Sequence, residues 1–231
     1  MKSTDKQLEN RGLFSETVKE IFLFKSLVEI LELLKSKLAV ERTVSARFIA
    51  HSRDFRCIPY LCSALEKEKK LYTKMELSDA LAAYGIYALA ELIKRLGKIG
   101  SNQHKKVPQK EFKKDSYPLP RDIVARTITK IGEDALPLLV DTLKCDDVSV
   151  LSECIDAIGF ICFYNEDKSC MNDLIDCYNL HCDSNLIKWK IIRAMSAFPS
   201  SHDFLDSEFA LLNNDRLKKE IVRSKRLSTL E

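Results

Sequence analysis

The sequence predicts an all-α fold, an α-α superhelix built from about five helical hairpins. Three observations predict it: an apolar pattern that recurs along the chain, a second pattern between its copies, and few helix-breaking residues. The chain has 231 residues, of which only 6 are Gly and 6 are Pro, and 45% are hydrophobic. This composition excludes collagen-like and low-complexity sequence and is too apolar for a wholly disordered chain.

The first pattern is an amphipathic helix, which we call helix A. Apolar residues occur at positions i, i+3, i+4 and i+7, the spacing that places side chains on one face of a helix. The five copies are SLVEILELL (26–34), CIPYLCSAL (57–65), ALAELIKRL (88–96), ALPLLVDTL (135–143) and CMNDLIDCY (170–178). Such a helix cannot bury its apolar face alone, so each copy needs a neighbour.

The second pattern, helix B, lies between the copies of helix A. A bulky apolar residue is followed each time by a small one. The bulky positions are Ile49, Leu81, Ile128, Ile158 and Met195, and the small ones are Ala50, Ala82, Thr129, Gly159 and Ser196. Bulky residues fill the space between helices and small residues let helices approach, so this pairing indicates repeated helix-on-helix packing.

The alternation of A and B windows predicts one solenoid domain over residues 1–231. Successive A windows begin 31 to 47 residues apart, as in repeats made of one helical hairpin each. The predicted parts are an N-terminal segment (1–21), the repeats (22–200) with a long loop (98–120), and C-terminal capping helices (201–231).

These windows resemble HEAT repeats, particularly the short kind known from phycocyanobilin-lyase-type proteins. In that kind, an apolar A helix opens the hairpin and a basic residue opens helix B. The corresponding residues are Arg42, Lys74, Arg121 and Lys188, with Leu151 in the fourth repeat. The resemblance implies a right-handed solenoid whose B helices line a concave surface. It implies no single function, because HEAT arrays serve as scaffolds, transport receptors, lyases and DNA-repair enzymes.

The basic residues that open the B helices need anionic partners, since the helix dipole disfavours cations at a helix N-terminus. Two explanations remain open at this point. The cations pair with acids of neighbouring repeats or turns, such as Asp146, Asp147 and Asp183, or they face an anionic partner along the concave surface.

A second column of charges lies five residues further along each B helix. It contains Arg47, Asp79, Arg126, Asp156 and Arg193. A surface that binds the phosphate backbone of nucleic acid would be more uniformly basic. The mixed signs therefore favour salt bridges between repeats or a protein partner of mixed charge, with nucleic acid as the second alternative.

We expect a protein partner to be bound by B-helix residues of the concave surface. The candidate residues are Arg47, Arg126, Trp189, Lys190 and Arg193. Trp and Arg are frequent hot-spot residues of interfaces, and Trp189 would be the apolar anchor. Two other interpretations of Trp189 stay open. It completes the core beside Ile191, or it takes part in a groove like that of HEAT-like DNA alkylation glycosylases, which use aromatic and acidic residues there.

The long loop carries six Lys, one His and three Pro. This composition is typical of a solvated, mobile loop, although loops of this length inside a compact array are often functional. Aromatic residues among the lysines keep a binding loop open as the alternative, because they stack on bases or pack on a partner. Its candidate residues are Lys105, Lys106, Phe112, Lys113 and Tyr117.

No catalytic, metal-binding or cofactor-binding residues are predicted, and enzymatic activity remains uncertain. The sequence has no HExxH, no CxxC, no GxSxG and no Gly-rich phosphate loop. The cluster CYNLHC (177–182) is more typical of packing than of zinc binding.

The sequence also indicates where the protein acts. Residues 1–20 lack the pattern of a secretory signal, no apolar run approaches the roughly 20 residues that span a bilayer, and the eight Cys are expected to be reduced thiols. We therefore expect a cytoplasmic monomer without a membrane segment.

Overall fold

The computed structural model describes residues 3–14 and 25–229, and within these ranges all regular structure is helical. The predicted all-α class is therefore confirmed. The chain forms two compact units, Met1–Lys94 and Arg95–Glu231. None of the helices in the described ranges is both long enough and apolar enough to cross a membrane.

The first unit pairs its helices as hairpins. Its helices are α1 (Asp5–Glu9), α2 (Leu27–Leu33), α3 (Ala39–Ser52), α4 (Ile58–Lys67), α5 (Leu71–Ala82) and α6 (Ile86–Ile93). Helix α2 pairs with α3 and α4 with α5. Successive hairpins pack with helices of the same kind in contact. The B helices α3 and α5 pack together, and so do the A helices α4 and α6.

The second unit repeats this arrangement. Its helices are α7 (Ile123–Thr129), α8 (Leu136–Thr142), α9 (Val148–Tyr164), α10 (Met171–Leu180), α11 (Asn185–Ala194), α12 (His202–Leu211) and α13 (Asp215–Leu227). Helices α7, α9, α11 and α13 pack in succession and form a B layer. The last helix thus continues the layer of B helices.

The two patterns read from the sequence coincide with these helices. Each A or B window overlaps a helix of the expected kind. All five bulky B positions, from Ile49 to Met195, have no exposed surface. Residues that fill the space between helices are expected to be buried in this way. The ends of the helices also follow from local sequence, as at α2, where Ser26 and Glu29 form a capping box.

The loop 98–120 is packed against the second unit, whereas its composition predicted a solvated loop. Only 2% of Tyr117 and 8% of Val107 are exposed. The hydroxyl of Tyr164 donates a hydrogen bond of 3.0 Å to the carbonyl of Tyr117. The side-chain amide of Gln103 donates one of 2.7 Å to the Asp122 carboxylate. The loop is therefore not solvated along its whole length, because apolar side chains between the exposed lysines pack against the helices.

A glycine just before the loop lies close to the start of α9. Gly97 has a φ of 74°, which favours glycine, and a Cβ at this position would lie 2.6 Å from the carbonyl oxygen of Ser149. Any side chain at position 97 would therefore collide with the backbone at the start of α9.

Candidate functional site

The candidate site is the side of α9, α11 and α13 against which the loop 98–120 packs, which we call the covered face. Tyr117 lies near the ring of Phe163 of α9, with ring centroids 5.8 Å apart. His104 meets the ring of Trp189 of α11 edge-on at 5.1 Å. On α13, Arg223 donates hydrogen bonds to the carbonyl oxygens of Lys114 and Ser116, the latter at 2.7 Å. The loop thus contacts three successive B helices.

A buried ion-pair cluster occupies the centre of the covered face. Lys190 Nζ lies 3.2 Å from Glu153 Oε1 and also pairs with the carboxylate of Asp156. All three side chains are buried, so two carboxylates share one ammonium group away from water. Burial raises the pKa of the Glu153 carboxyl, against the lowering effect of Lys190. Lys190 was predicted as a surface cation, but the phase of α11 turns it towards α9.

Trp189 and Arg193 are also inside the second unit rather than on an open surface. The Arg193 guanidinium lies over the Trp189 ring, 3.7 Å from its centroid. Its Nε is 3.5 Å from Glu220 Oε1, which is an ion-pair distance without the geometry of a hydrogen bond. Each of Trp189 and Arg193 is 4% exposed. The expected apolar anchor is therefore enclosed, because Arg193 covers one face of its ring and His104 meets it edge-on.

Two arginines of the first unit, Arg42 and Arg47, are also paired with carboxylates. Arg42 forms two hydrogen bonds with the Glu68 carboxylate, at 2.7 and 3.0 Å. Arg47 of α3 forms two with Glu76 of α5, at 2.8 and 2.5 Å. Burial acts to raise the pKa of Glu68, but Arg42 and the backbone N–H groups of Lys69 and Lys70, which all bond to the carboxylate, together outweigh it, and the pKa is lowered. Salt bridges between elements were one of the two predicted explanations, although the acids differ from those suggested.

The remaining cation of the candidate surface, Arg126, lies half-buried at the end of the loop. Its Nε donates a hydrogen bond of 2.5 Å to the carbonyl of Pro120. The nearby Arg121 contacts His104 Nε2 at 3.0 Å. Burial, with the charge of Lys190 next, lowers the pKa of His104 to about 4, so this imidazole is neutral at physiological pH.

The candidate residues of the loop divide into two groups. Lys105, Lys106 and Lys113 are exposed. Phe112 is partly buried beneath the guanidinium of Arg223, which lies 5.0 Å from the ring centroid. Tyr117 is enclosed, and burial raises the pKa of its hydroxyl. The aromatic residues thus hold the loop in place and the lysines face solvent.

A cavity of about 810 Å³ lies beside the covered face, between residues 108–113 and the helices α12 and α13. We call it the α12–α13 cavity. Among the residues that line it are Lys110, Phe112, Phe209, Arg216, Lys218 and Arg223. The sequence analysis treated α13 only as part of the C-terminal cap and did not predict this cavity. The feature of the sequence that could have indicated it is the basic run DRLKKEIVRSKRL (215–227).

Within the cluster 177–182, Cys177 lacks the features of a reactive thiol. Burial raises the pKa of Cys177 to about 11, which disfavours the thiolate. Across the described part of the chain, no three His, Cys, Asp or Glu side chains are grouped as metal ligands. The cluster 177–182 therefore shows no ligand set for zinc.

Comparisons with known proteins assign the chain to no family. No family model matches it. No curated protein matches it either. A crystal structure of an engineered protein is similar, with a TM-score of 0.38 and 16% sequence identity, over 90% of this chain and 100% of the other. A similarity at this level does not indicate a function.

Proposed function

We propose that the chain is a non-catalytic, cytoplasmic protein-binding module of the HEAT-repeat type that acts as a monomeric scaffold. The observation that carries this proposal is the pairing of its inner cations. Arg47 pairs with Glu76, Lys190 with Glu153, and Arg193 with Glu220. Nucleic-acid affinity comes largely from cations that neutralise phosphates. Cations already neutralised within the protein contribute little to that affinity, which favours a protein partner.

An exposed cluster on the first unit supports a protein partner independently. Phe55, Ile86 and Tyr87, which we call the aromatic patch, are 50%, 54% and 61% exposed. The rings of Phe55 and Tyr87 lie 4.2 Å apart, and Tyr84 lies behind Phe55 with centroids 6.1 Å apart. Aromatic side chains on a rigid support are typical hot spots of protein interfaces. The patch fits a partner that packs an apolar side chain against the exposed sides of these rings.

Nucleic-acid binding, including a function like that of HEAT-like DNA alkylation glycosylases, is the second candidate. The observation that favours it is the basic helix α13. Its cationic residues are Arg216, Lys218, Lys219, Arg223, Lys225 and Arg226. The enclosure of Trp189 argues against it, since a base cannot stack on a ring that is 4% exposed.

The two candidates are separated by fluorescence anisotropy with a labelled random DNA duplex and a labelled single strand, over a salt series. We expect no binding at about 0.15 M salt, where exposed charges more than about 8 Å apart are largely screened. Micromolar binding at that salt concentration would contradict the scaffold proposal and favour nucleic acid.

The positive test is affinity capture from the native host with matched variants of the first unit. The double variant Phe55→Ser/Tyr87→Ser removes the aromatic patch. The control Tyr60→Ser/Leu71→Ser removes two other apolar side chains that are 51% and 56% exposed. We expect one protein to be retained by the wild type and the control and lost by the patch variant. Equal capture by both variants would exclude the patch as the interface.

A further inference from the structure

The α12–α13 cavity has the dimensions of a small-molecule site. Its volume of about 810 Å³ falls within the range of roughly 300–1,000 Å³ that ligand pockets occupy. Residues 108–113 of the loop form one wall, and α12 with α13 forms the other. Both walls belong to the second unit.

The charge of the cavity is strongly positive. The described residues that line it include seven cationic side chains and three acidic ones, whereas the whole chain carries a net charge of only +3. Two of the acids are already paired, Glu111 with Lys219 at 2.8 Å and Glu220 with Arg223 at 2.8 Å. Arg226 also pairs with Asp115, which does not line the cavity, at 2.6 Å. The cations that remain for an anion are Lys110, Lys113, Arg216 and Lys218, against the one further acid, Asp215.

Each wall of the cavity also contributes an aromatic ring with a cation beside it. Phe112 lies in the loop wall under the guanidinium of Arg223, and Phe209 of α12 has Lys218 Nζ 5.0 Å from its ring centroid. Phe209 is 40% exposed. Aromatic rings stack on planar heterocycles such as nucleobases, whichever base is present. Arg and Lys side chains beside the rings bind phosphate oxygens.

A buried donor in the floor of the cavity is unsatisfied. Arg223 is 8% exposed. Its Nη1 donates to Glu220 and its Nη2 donates to the carbonyls of Lys114 and Ser116. Its Nε has no hydrogen-bond acceptor. Arg223 is thus held in a fixed position in the lining of the cavity, where its charge, rather than its buried Nε, can attract a phosphate group.

We propose that the α12–α13 cavity binds a free nucleoside phosphate, with the base between Phe112 and Phe209 and the phosphates on the cations of α13 and the loop. This site goes beyond the scaffold function. A longer strand would need a basic track that continues past the cavity, and the adjoining covered face holds cations that are already paired. A membrane surface would need an extended apolar face, while the exposed apolar residue of α13 in the described chain is Val222.

Trp189, the only Trp of the chain, lines the cavity and provides the test. We suggest titrating the full chain with mant-ATP and recording energy transfer from Trp189, with ATP as competitor, and repeating the ATP titration by calorimetry. The variant Lys113→Ala/Arg216→Ala removes two cations at the cavity. The control Lys105→Ala/Lys144→Ala removes two exposed cations that do not line it. Circular dichroism shows whether both variants keep the wild-type helix content.

We expect ATP to bind the wild type and the control equally, and the cavity variant at least tenfold more weakly. Adenosine and pyrophosphate should each bind at least tenfold more weakly than ATP, because each supplies half of the contacts. No binding of ATP at 1 mM, or equal binding by both variants, would overturn the proposal. So would binding of single-stranded RNA or of phosphatidylserine vesicles without binding of ATP. None of these outcomes depends on the protein partner, which is tested at the aromatic patch of the first unit.

Discussion

Lys190 Nζ lies 3.2 Å from Glu153 Oε1, and both side chains are fully enclosed between α11 and α9. The same ammonium group pairs with Asp156. Buried ion pairs add little net stability compared with apolar residues, but they penalise any packing that separates the partners. The cluster therefore favours one register of α11 against α9.

Replacing Lys190 by Met should lower the free energy of unfolding by about 3–5 kcal/mol, because two buried carboxylates lose their counter-ion. Urea denaturation measures this change. The control Lys188→Met, on the same helix, removes only a cation–π contact with Tyr178 and should cost about 1 kcal/mol or less.

The loss of unfolding free energy in the Lys190→Met variant should be smaller at acid pH. Burial raises the pKa of Glu153, and the loss of Lys190 removes a charge that lowers it. A carboxyl with a raised pKa in the folded state binds its proton more tightly there, so stability rises as the pH falls through that pKa. Equal losses at pH 7 and pH 4.5 would contradict this account.

Ile128→Ala should destabilise the second unit by about 2–5 kcal/mol, since Ile128 has no exposed surface and its truncation leaves a cavity. Val222→Ala is the control, because Val222 of the same unit is 59% exposed and its truncation should change stability by less than about 0.5 kcal/mol. Thermal and urea unfolding measure both. Similar effects of the two variants would contradict the assignment of the bulky B column to the core.

Gly159→Ala should release the loop, although Ala favours a helix over Gly by about 1 kcal/mol. A Cβ at position 159 would lie 2.6 Å from Tyr117 Cζ and 3.0 Å from the Cβ of Ala194. Displacement of Tyr117 should speed tryptic cleavage at the loop lysines, because exposed flexible segments are cleaved first. These sites are Lys105, Lys106, Lys110, Lys113 and Lys114.

A double-mutant cycle with Tyr117→Ala isolates this contact. Without the tyrosine ring, Gly159→Ala should lower the free energy of unfolding by less than it does in the wild type. The difference, which is the coupling free energy of the two positions, should be about 0.5–3 kcal/mol. If Gly159→Ala has the same effect in both backgrounds, Tyr117 does not anchor the loop at this glycine.

His104 should titrate with a pKa of about 4, which NMR can follow after assignment with a His104→Gln variant. Its folded pKa lies below the unfolded value of about 6.5. The unfolded state therefore binds more protons between these values, and the stability of the wild type should fall as the pH decreases from about 6.5 to about 4. Urea midpoints should show a smaller fall for His104→Gln over the same range. A His104 pKa near 6.5 would mean that the loop does not bury this ring.

The helices and their cores could be predicted from the sequence by itself. The A and B patterns are local, because residues three, four and seven apart share a face of one helix irrespective of the rest of the chain. The apolar columns consequently located Ile49, Ile128 and Met195 in the core. The alternation of the two patterns also predicted the pairing of hairpins.

The charge partners and the loop were decided by the tertiary structure. Lys190 pairs with residues 34 and 37 positions away, and Arg223 binds the carbonyl of Ser116 from a distance of 107 residues. Local periodicity carries no information about which residues approach over such separations. From the sequence alone, a lysine at a B position is interpreted as a surface cation, because only the folded structure brings two carboxylates of a second helix to it. A Lys-rich loop is likewise interpreted as solvated, because the sequence does not show the surface against which its few apolar residues pack.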